Sequence, residues 1–251
     1  MKQIVVISGK GGTGKTVITA SLAALADHKV MADCDVDAAD LHLLLKPDIQ
    51  RREEFRSGKT AVIDQKKCLK CGRCQSVCRF SAVNRYISQD DGSSNVYFLI
   101  DSVSCEGCGF CYHVCPAGAL VMEENLSGEW FISDTRFGPM VHAKLGVAEE
   151  NSGKLVSLVR SQAKLLAEQN HSDWILIDGS PGIGCPVIAS LSGVDCALVV
   201  TEPTLSGLHD ALRVIEVAQH FGIVTKAVIN KYDLNTDMAD QIEAACREKN
   251  T

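Results

Sequence analysis

Two groups of residues in this chain have the types and spacing to do chemistry. Eight of the twelve cysteines lie between residues 68 and 115, and residues 9–16 form a glycine-rich run that contains two lysines. Clustered cysteines in a reducing compartment favour metal ligation over disulfides. Glycine-rich loops let backbone N–H groups approach a phosphate without a Cβ in the way. The sequence therefore predicts a metal or cluster site together with a phosphate site.

The cysteines form two copies of the spacing C-x2-C-x2-C-x3-C. This spacing is typical of bacterial ferredoxins, in which the fourth cysteine of each run ligates the cluster of the other run. We therefore expect two [4Fe–4S] clusters, one on Cys68, Cys71, Cys74 and Cys115, and one on Cys105, Cys108, Cys111 and Cys78. Two zinc sites are the alternative, since C-x2-C pairs also suit zinc. The duplication, with small glycines between the cysteines, favours the clusters.

An internal repeat of 37 residues underlies this duplication. Residues outside the cysteines match at the same offset: Ile63-Asp64 with Ile100-Asp101, and Ala82-Val83 with Ala119-Leu120. Each half is predicted to contain a strand, a cysteine loop, a short helix and a second strand. A turn-rich joint at residues 90–95 would connect the halves. We expect residues 60–123 to form a small inserted α+β domain of the ferredoxin type.

The two cysteine runs differ in charge. The first is surrounded by basic residues: Lys66, Lys67, Lys70, Arg73 and Arg79. In the second, Glu106 is the only charged residue between Ser104 and Pro116. Positive charge favours the reduced, more negative state of a cluster, so we expect the cluster of the first run to have the higher potential. A basic surface without an electronic role is the alternative.

Residues 9–16 match the phosphate-binding pattern G-x-x-x-x-G-K-[ST], with Gly9, Lys10, Gly11, Gly12, Thr13, Gly14, Lys15 and Thr16. The run follows a predicted strand and precedes a predicted helix, which is the context that this motif requires. Lys15 is expected to reach the β- and γ-phosphates, and the Thr16 hydroxyl to ligate Mg²⁺. The helix N-terminus adds a favourable dipole.

Apolar runs without alternation predict strands that are covered on both faces of a parallel sheet. They are found at residues 4–7, 30–32, 174–177, 197–200 and 227–229. Helical patterns lie between them, at residues 15–26, 154–168 and 208–219. Strands that alternate with helices predict an α/β, doubly wound, mostly parallel sheet. Residues 1–59 and 124–251 would form this discontinuous phosphate-loop domain around the insert.

The composition is that of an ordinary globular protein. Of the 251 residues, 46% are hydrophobic and 22% charged, and the net charge of −6 argues against a broad nucleic-acid surface. No apolar run reaches the length of a membrane span, and no signal-peptide pattern is present. We therefore expect a cytoplasmic protein that acts on neither nucleic acid nor membranes.

The extra lysine in K-G-G-T-G-K-T resembles the deviant Walker A motif of ParA/MinD/Mrp-like ATPases of the SIMIBI class. The resemblance implies that Lys10 enters the nucleotide site of a partner in a face-to-face dimer, either a homodimer or a paralogous heterodimer. Within Asp33-Cys34-Asp35-Val36-Asp37, it assigns Asp35 to positioning the attacking water, with Asp33 and Asp37 as lesser candidates. A solvated acidic turn is the alternative there.

Two more positions are implied by the same resemblance. Asp178 follows a strand, as in a Walker B segment, and would hold Mg²⁺ through water, with a helix N-cap as the alternative. Asn230 ends another strand and would contact adenine, unless it simply forms a turn. Members of the family continue with a further strand and helix, whereas this sequence ends at Thr251. We expect either a truncated chain or a nucleotide site that is incomplete on one side.

Cys185 lies seven residues after Asp178, the offset at which the related nitrogenase iron protein has a cluster ligand. No second ligand accompanies it, so we expect a small buried thiol. Cys34, Cys196 and Cys246 are predicted to be core or surface residues.

These features together predict an ATPase that uses ATP, Mg²⁺ and two [4Fe–4S] clusters to couple its nucleotide state to electron transfer or to docking of a redox partner. An Mrp-like scaffold that donates clusters is the first alternative. A positioning ATPase like MinD would need a C-terminal amphipathic membrane helix, which residues 236–250 do not offer. A cobyrinic acid a,c-diamide synthase-like enzyme is disfavoured because no glutaminase domain is present.

Overall fold

The computed structural model describes residues 1–90, 93–146 and 153–251. Within these residues the strands are β1 (Lys2–Ser8), β2 (Lys29–Asp33), β3 (Asp48–Ile63), β4 (Val83–Asp90), β5 (Ser93–Ile100), β6 (Leu120–Thr135), β7 (Gly138–Leu145), β8 (Trp174–Pro181), β9 (Cys196–Thr201) and β10 (Val224–Ile229). The helices are α1 (Lys15–Leu25), α2 (Leu41–Leu45), α3 (Arg73–Ser76), α4 (Phe110–Val114), α5 (Lys154–Gln169), α6 (Cys185–Leu191), α7 (Leu205–His220) and α8 (Thr236–Glu248). A short 3-10 turn covers Tyr232–Leu234.

The chain divides into two units. The first, called the nucleotide unit below, comprises Met1–Glu54, Gly128–Leu145 and the described part of Glu149–Thr251. The second, the cysteine unit, contains Phe55–Ser127 and Gly146. It includes all residues of the 37-residue repeat. The long strands β3 and β6 each contribute residues to both units.

An eight-stranded sheet forms the centre of the nucleotide unit, with the order β10-β9-β1-β8-β2-β7-β6-β3. The neighbouring pairs from β10 to β7 are parallel, and β6 runs antiparallel to β7. The central strands are buried over consecutive residues, including Val5–Ile7 in β1 and Ile175–Ile177 in β8. This confirms an α/β fold with a mostly parallel sheet, since strands covered on both faces lack polar alternation.

The predicted helices of this unit are confirmed, with ends shifted by up to three residues. Each buries an apolar stripe: α5 buries Leu155, Val159 and Ala163, and packs on β2, β7 and β8. Helix α7 begins three residues earlier than expected because the Thr204 hydroxyl accepts a hydrogen bond from Gly207 N at 2.9 Å. Such a cap stabilises a helix by about 1 kcal/mol.

Several elements were not expected. Strands β3 and β6 each extend over 16 residues, and β7 pairs with β6 from Gly128 to Leu145. Most of β3 is exposed and highly charged, so it carries no apolar alternation that would predict a strand. Helix α8 is amphipathic, buries Ala239 and Ile242, and is capped by Asn235. No helix in the described ranges is long and apolar enough to cross a bilayer.

The cysteine unit has its own small core. Its buried residues are Ala61, Ile63, Cys74, Val83, Phe98 and Leu120, against which other cysteines pack. Strands β4 and β5 form an antiparallel ribbon, with Val83 opposite Ile100. The expected joint at residues 90–95 is shorter than predicted, since Asp90 belongs to β4 and Ser93 to Asn95 belong to β5. Residues 91–92 lie outside the described residues. Each half contains a strand, a cysteine loop, a short helix and a strand, in the predicted order.

The repeat extends to the backbone conformation. Three pairs of residues 37 positions apart share a left-handed conformation, with φ of 57° and 63°, 74° and 73°, and 54° and 56°: Lys70 and Gly107, Gly72 and Gly109, Ser81 and Gly118. The hydrogen bonds cross between halves in the same symmetric way. Asp64 N donates to Ala119 O at 2.7 Å, and Asp101 N donates to Ala82 O at 2.8 Å. The two halves therefore form one pseudo-symmetric unit, in which each half donates a backbone hydrogen bond to the other.

Candidate functional site

The phosphate loop runs from the end of β1 to the first turn of α1, as its sequence predicts. Gly14 has φ of 93° and Gly12 has φ of 79°, which favour glycine because other residues are strained there. A Cβ at Gly9 would lie 2.5 Å from the Asp210 backbone, so helix α7 approaches the loop too closely for a side chain. These glycines fix a narrow turn before Lys15.

Asn230 contacts this loop directly. Its amide nitrogen donates to Thr13 O at 2.8 Å, and a Cβ at Gly14 would lie 2.2 Å from that nitrogen. Lys231 follows with a left-handed backbone, and its Nζ donates to Gly12 O at 3.1 Å. The end of β10 therefore lies against the phosphate loop, and the adenine contact expected of Asn230 stays a prediction.

Two aspartates meet Lys15 at the carboxyl ends of β2 and β8. The register of these parallel strands sets Asp33 beside Asp178. Lys15 Nζ lies 3.0 Å from an Asp35 oxygen and 3.3 Å from an Asp178 oxygen. Thr19 supports the arrangement, because its hydroxyl donates to Asp178 Oδ1 at 3.0 Å. The structure thus brings together the predicted Lys15, Asp35 and Asp178.

The electrostatics of this cluster are set by burial. Burial lowers the pKa of Lys15, but Asp178 and Asp35 outweigh it and the net shift is upward. Burial raises the pKa of Asp33 well above its usual range, and Asp178 adds to the shift. Burial also raises the pKa of Asp35, against the opposing effect of Lys15. Three carboxyl groups thus share one ammonium in a site screened from water.

Unsatisfied oxygens in the cluster fit a divalent cation. Asp33 Oδ2, Asp178 Oδ2 and Thr13 Oγ1 are buried and have no hydrogen-bond partner. Unpaired buried carboxylate oxygens are costly, and Mg²⁺ prefers such oxygen ligands. Thr16 follows Lys15 in the first turn of α1. The donor set therefore suits Mg²⁺ beside a bound phosphate, with Thr16 and Asp178 as the residues that would hold it.

Lys10 is held within its own chain. Its Nζ lies 2.7 Å from a Glu202 oxygen and donates to Ser206 Oγ at 2.9 Å. Glu202 also binds Lys231 Nζ at 3.0 Å, and the two lysines lower the pKa of the glutamate. Lys10 must leave these partners before it can reach any other site.

The eight cysteines line two cavities in the cysteine unit. One cavity, of about 340 Å³ including its open mouth, is lined by Cys68, Cys71, Cys74 and Cys115. The other, of about 370 Å³, is lined by Cys78, Cys105, Cys108 and Cys111. Each cavity takes three cysteines from one loop and the fourth from the other half. These are the two sets that the crossed ferredoxin pattern assigns.

The remaining walls of both cavities are mostly apolar, with Ile63, Phe98 and Leu120 around one and Ala61, Val83 and Ile100 around the other. Backbone N–H groups donate to sulfur in the first set, from Lys70 to Cys68 at 3.4 Å and from Ala119 to Cys115 at 3.3 Å. Such bonds are a feature of iron–sulfur sites.

The thiols are not drawn together on one point. In the ranges that the structure describes, no group of three or more His, Cys, Asp or Glu side chains converges as ligands of a single ion would. The irons of a cubane stand at separate corners, so its four thiolates surround a cavity instead. Burial raises the pKa of Cys74 and of Cys111, with nearby cysteines contributing in each case.

A comparison with models of protein families identifies the family of this chain. The model of the CobQ/CobB/MinD/ParA nucleotide-binding domain matches residues 4–250. The chain belongs to this family. Within the CobQ/CobB/MinD/ParA family, the chain is 37% identical to an uncharacterized protein of Methanocaldococcus jannaschii, over 93% of this chain and 79% of that protein. It is 25% identical to a second uncharacterized protein of the same organism, over 94% and 82%.

Solved structures agree with this assignment at the level of fold. The ATP complex of a McdA variant from Cyanothece has a TM-score of 0.50 and 15% identity, covering 99% of this chain and 79% of the other. The MinD ATPase of Pyrococcus furiosus has a TM-score of 0.48 and 20% identity, covering 96% and 79%. The family match over residues 4–250 includes the phosphate loop described above.

Some contacts of this nucleotide-binding domain were missed from the sequence. Glu202 and Lys231 were given no definite roles, although together they connect Lys10 with Gly12, two residues of the phosphate loop. In the sequence, these two residues are marked only as polar residues that come after a strand, at the carboxyl edge of the sheet. Thr19 was also missed, because its contact with Asp178 joins residues 159 positions apart.

The expectation for Cys185 was wrong. It is exposed at the start of α6 instead of buried, since the apolar face of this short helix is supplied by Val187 and Leu191. Cys34 and Cys246 are buried and Cys196 is partly buried, in agreement with core roles.

Proposed function

We propose that this chain is a MinD/ParA-type ATPase that binds and hydrolyses Mg²⁺-ATP and carries two [4Fe–4S] clusters in its cysteine unit. Its nucleotide state would control electron transfer or docking of a redox partner. The crossed sharing of eight cysteines between two cavities carries this proposal, because nucleotide-binding domains do not need such cavities. The domain boundaries that go with it are 60–123 for the ferredoxin-like insert, with ATPase residues on either side.

The nucleotide half of the proposal rests on the charge balance around Lys15. Without nucleotide, Asp35 and Asp178 neutralise the Lys15 ammonium. The arrival of Mg²⁺-ATP would bring phosphate oxygens for Lys15 and a cation for the carboxylates. Lys15 would then turn to the β- and γ-phosphates, while Asp178 and Thr16 hold the metal.

Asp35 would be released by the same exchange. Asp35 lies at the start of the loop after β2, and it is only slightly exposed. Once Lys15 has left, it can accept a hydrogen bond from a water molecule in line with the γ-phosphate. Orienting such a water is the main task of the protein in this chemistry, because little covalent help is needed.

Lys10 would complete the site of a second chain. In the single chain it is held by Glu202 and Ser206 at the surface. We propose that nucleotide-dependent dimerisation releases it and directs its ammonium to the partner's phosphates. A positive charge placed there stabilises the charge that develops during phosphoryl transfer.

The cysteine half rests on the fit of the two cavities to cubane clusters. Each cluster would supply a one-electron redox centre when bound. The chain's residues would ligate it, exclude water with apolar walls, and tie the two halves together through Cys78 and Cys115. Zinc is the alternative, since C-x2-C pairs also suit that ion, whereas the duplicated ferredoxin spacing favours the clusters.

ATP hydrolysis by lysine variants tests the nucleotide half. Lys15→Ala should abolish both ATP binding and phosphate release. Lys10→Ala should keep most ATP binding, measured by equilibrium dialysis, but lose at least tenfold in turnover. Lys164→Ala, on the exposed face of α5, is the matched control. Equal turnover of Lys10→Ala and wild type would contradict the role of Lys10.

One observation favours a second function. Cys71 and Cys108, one in each set, are exposed, so each cavity opens to solvent at one ligand. Such an opening suits a scaffold that hands clusters to apo-proteins. Incubation of the loaded protein with an apo-ferredoxin distinguishes the two functions. Transfer that is faster than release to a chelator supports the scaffold, and clusters that stay in the chain support electron transfer.

A further inference from the structure

A groove open to solvent lies beside the first cysteine set. Its walls include Lys70, Cys71, Gln75, Arg85, Asn95 and Phe98. Cys71 is both an exposed wall of this groove and a wall of the first cavity. A molecule seated in the groove would therefore come within contact of a cluster ligand.

The surface around the groove is basic. Lys70 and Arg85 are exposed in its walls, and the neighbouring cysteine loop adds four exposed cations: Lys66, Lys67, Arg73 and Arg79. The only acid between residues 64 and 80 is Asp64. It already accepts a hydrogen bond from Lys66 N at 3.0 Å and lies 3.6 Å from Lys67 Nζ. The whole chain carries a net charge of −6, so this concentration of positive charge is local.

Lys70 is positioned within the cysteine loop itself. Its ammonium donates to Asn95 Oδ1, and its backbone N–H donates to Cys68 Sγ at 3.4 Å. The residue also adopts a left-handed backbone with φ of 57°, which is unfavourable for lysine. Position 70 therefore carries a positive charge next to the proposed cluster ligands, although glycine would adopt this backbone conformation with less strain.

The corresponding surface of the second half has different chemistry. Gly107 replaces Lys70 there, and three large apolar side chains are exposed nearby: Val103, Phe110 and Tyr112, at 72%, 55% and 45%. Glu106 is the only charge in that loop. The pseudo-symmetric unit thus presents a basic surface beside one cysteine set and an apolar surface beside the other.

We propose that the basic groove is the docking surface for an acidic one-electron carrier protein, which exchanges electrons with the first cysteine set. This rests on the proposed function, since it requires a cluster at Cys68, Cys71, Cys74 and Cys115. The reaction moves one electron from the reduced carrier to the cluster, and no bond forms or breaks. Redox partners bind through small interfaces, where charge complementarity sets the association rate.

The test measures electron transfer from a reduced, acidic plant-type ferredoxin to the anaerobically purified, cluster-loaded chain by stopped flow. For wild type, the second-order rate constant should fall steeply as the ionic strength rises, because screening weakens steering. Arg85→Glu, on β4 and outside both cysteine loops, should lower the low-salt rate constant at least fivefold. The double variant, with both Lys70→Glu and Arg85→Glu, should lower the low-salt rate constant at least tenfold and remove most of its salt dependence. Lys164→Glu in the nucleotide unit should behave as wild type.

Controls separate this proposal from the proposed function. Iron content and the EPR signal of the fully dithionite-reduced protein should be unchanged in Arg85→Glu, which shows that its clusters are intact. If the wild-type chain contained no iron, that result would contradict the proposed function itself. The docking role of the groove would be overturned, and the proposed function kept, by either of two results. One is an Arg85→Glu variant with intact clusters and the wild-type rate constant for reduction by ferredoxin. The other is a wild-type rate constant that rises with salt.

The same variants also reveal whether the groove has a different occupant. Binding of a single-stranded oligonucleotide that Arg85→Glu abolishes, without any change in the ferredoxin reaction, would assign the surface to nucleic acid and overturn the proposal. A changed ATPase rate with an unchanged ferredoxin reaction would assign it to a contact within the chain or between copies, and would also overturn it.

Discussion

The two halves of the cysteine unit share one backbone but not one surface. Their left-handed residues, their crossed hydrogen bonds and their cysteines correspond at an offset of 37 residues. Between the first and third cysteines of each loop, however, the first half places lysine and arginine where the second places glycine and phenylalanine. The ligand geometry is thus repeated, whereas the surface around it has changed. A duplicated site can therefore give two centres with different neighbours.

The strongest test of the crossed arrangement is to remove one shared cysteine. Cys115→Ser removes a ligand from the set of Cys68, Cys71 and Cys74, although it follows the second loop in sequence. The variant should lose about half of its iron, and the remaining cluster should be that of the second loop. Cys78→Ser should show the reverse. Both are read by iron analysis and EPR.

Cys185→Ser is the control for this experiment, because Cys185 is an exposed cysteine outside the unit. It should keep all the iron. Loss of the cluster of the second loop in Cys115→Ser would mean that each run serves its own cluster, and would contradict the crossed sets.

The corresponding positions 70 and 107 should respond differently to alanine. A Cβ at Gly107 would lie 2.1 Å from Lys59 O, and its φ of 63° is strained for alanine. Gly107→Ala should therefore destabilise the chain by about 2–4 kcal/mol. Lys70 already tolerates a side chain at this backbone conformation, so Lys70→Ala should change the free energy of unfolding by about 0.5 kcal/mol or less. Denaturant unfolding measures both, and equal losses would contradict the explanation.

The charges around Lys15 in the nucleotide unit are buried, in contrast to those of the first cysteine half. Burial raises the pKa of Asp33 well above its usual range. Between the ordinary aspartate pKa and this raised value, the folded state binds more protons than the unfolded state, so stability falls as pH rises. In the nucleotide-free protein, Asp33→Asn should raise the melting temperature at pH 8 by about 2–4 °C and flatten its pH dependence. An unchanged pH profile would exclude this group as the cause.

The smallest expected effect concerns the redox potential. Arg73 and Phe110 occupy corresponding positions in the two halves. In a Cys78→Ser background, which should keep only the first cluster, Arg73→Gln should lower the potential by on the order of tens of millivolts. Phe110→Gln is the matched control and should leave it unchanged. An EPR redox titration measures both, and no shift in Arg73→Gln would support a basic surface without an electronic role.

The sequence was informative wherever a local pattern had one physical cause. The phosphate loop and the buried strands follow from spacing and hydropathy, and the two groups of cysteines that line the cavities match the ferredoxin pattern of the sequence. Strand β3 could not be predicted this way, because its charged residues become a strand only through pairing in the sheet. The contact of Lys10 with Glu202 joins residues far apart in sequence, so no local pattern reports it. Cys185 was misassigned because its helix is too short to show a periodic face.

We propose that nucleotide chemistry and electron chemistry share this chain and influence each other. The decisive measurement is iron and sulfide analysis of the anaerobically purified protein, with EPR spectra recorded with and without Mg²⁺-ATP. We expect a brown protein with about eight irons per chain, whose EPR spectrum changes when ATP binds. A colourless, zinc-loaded protein, or an iron-loaded one whose spectrum does not respond to bound ATP, would contradict it.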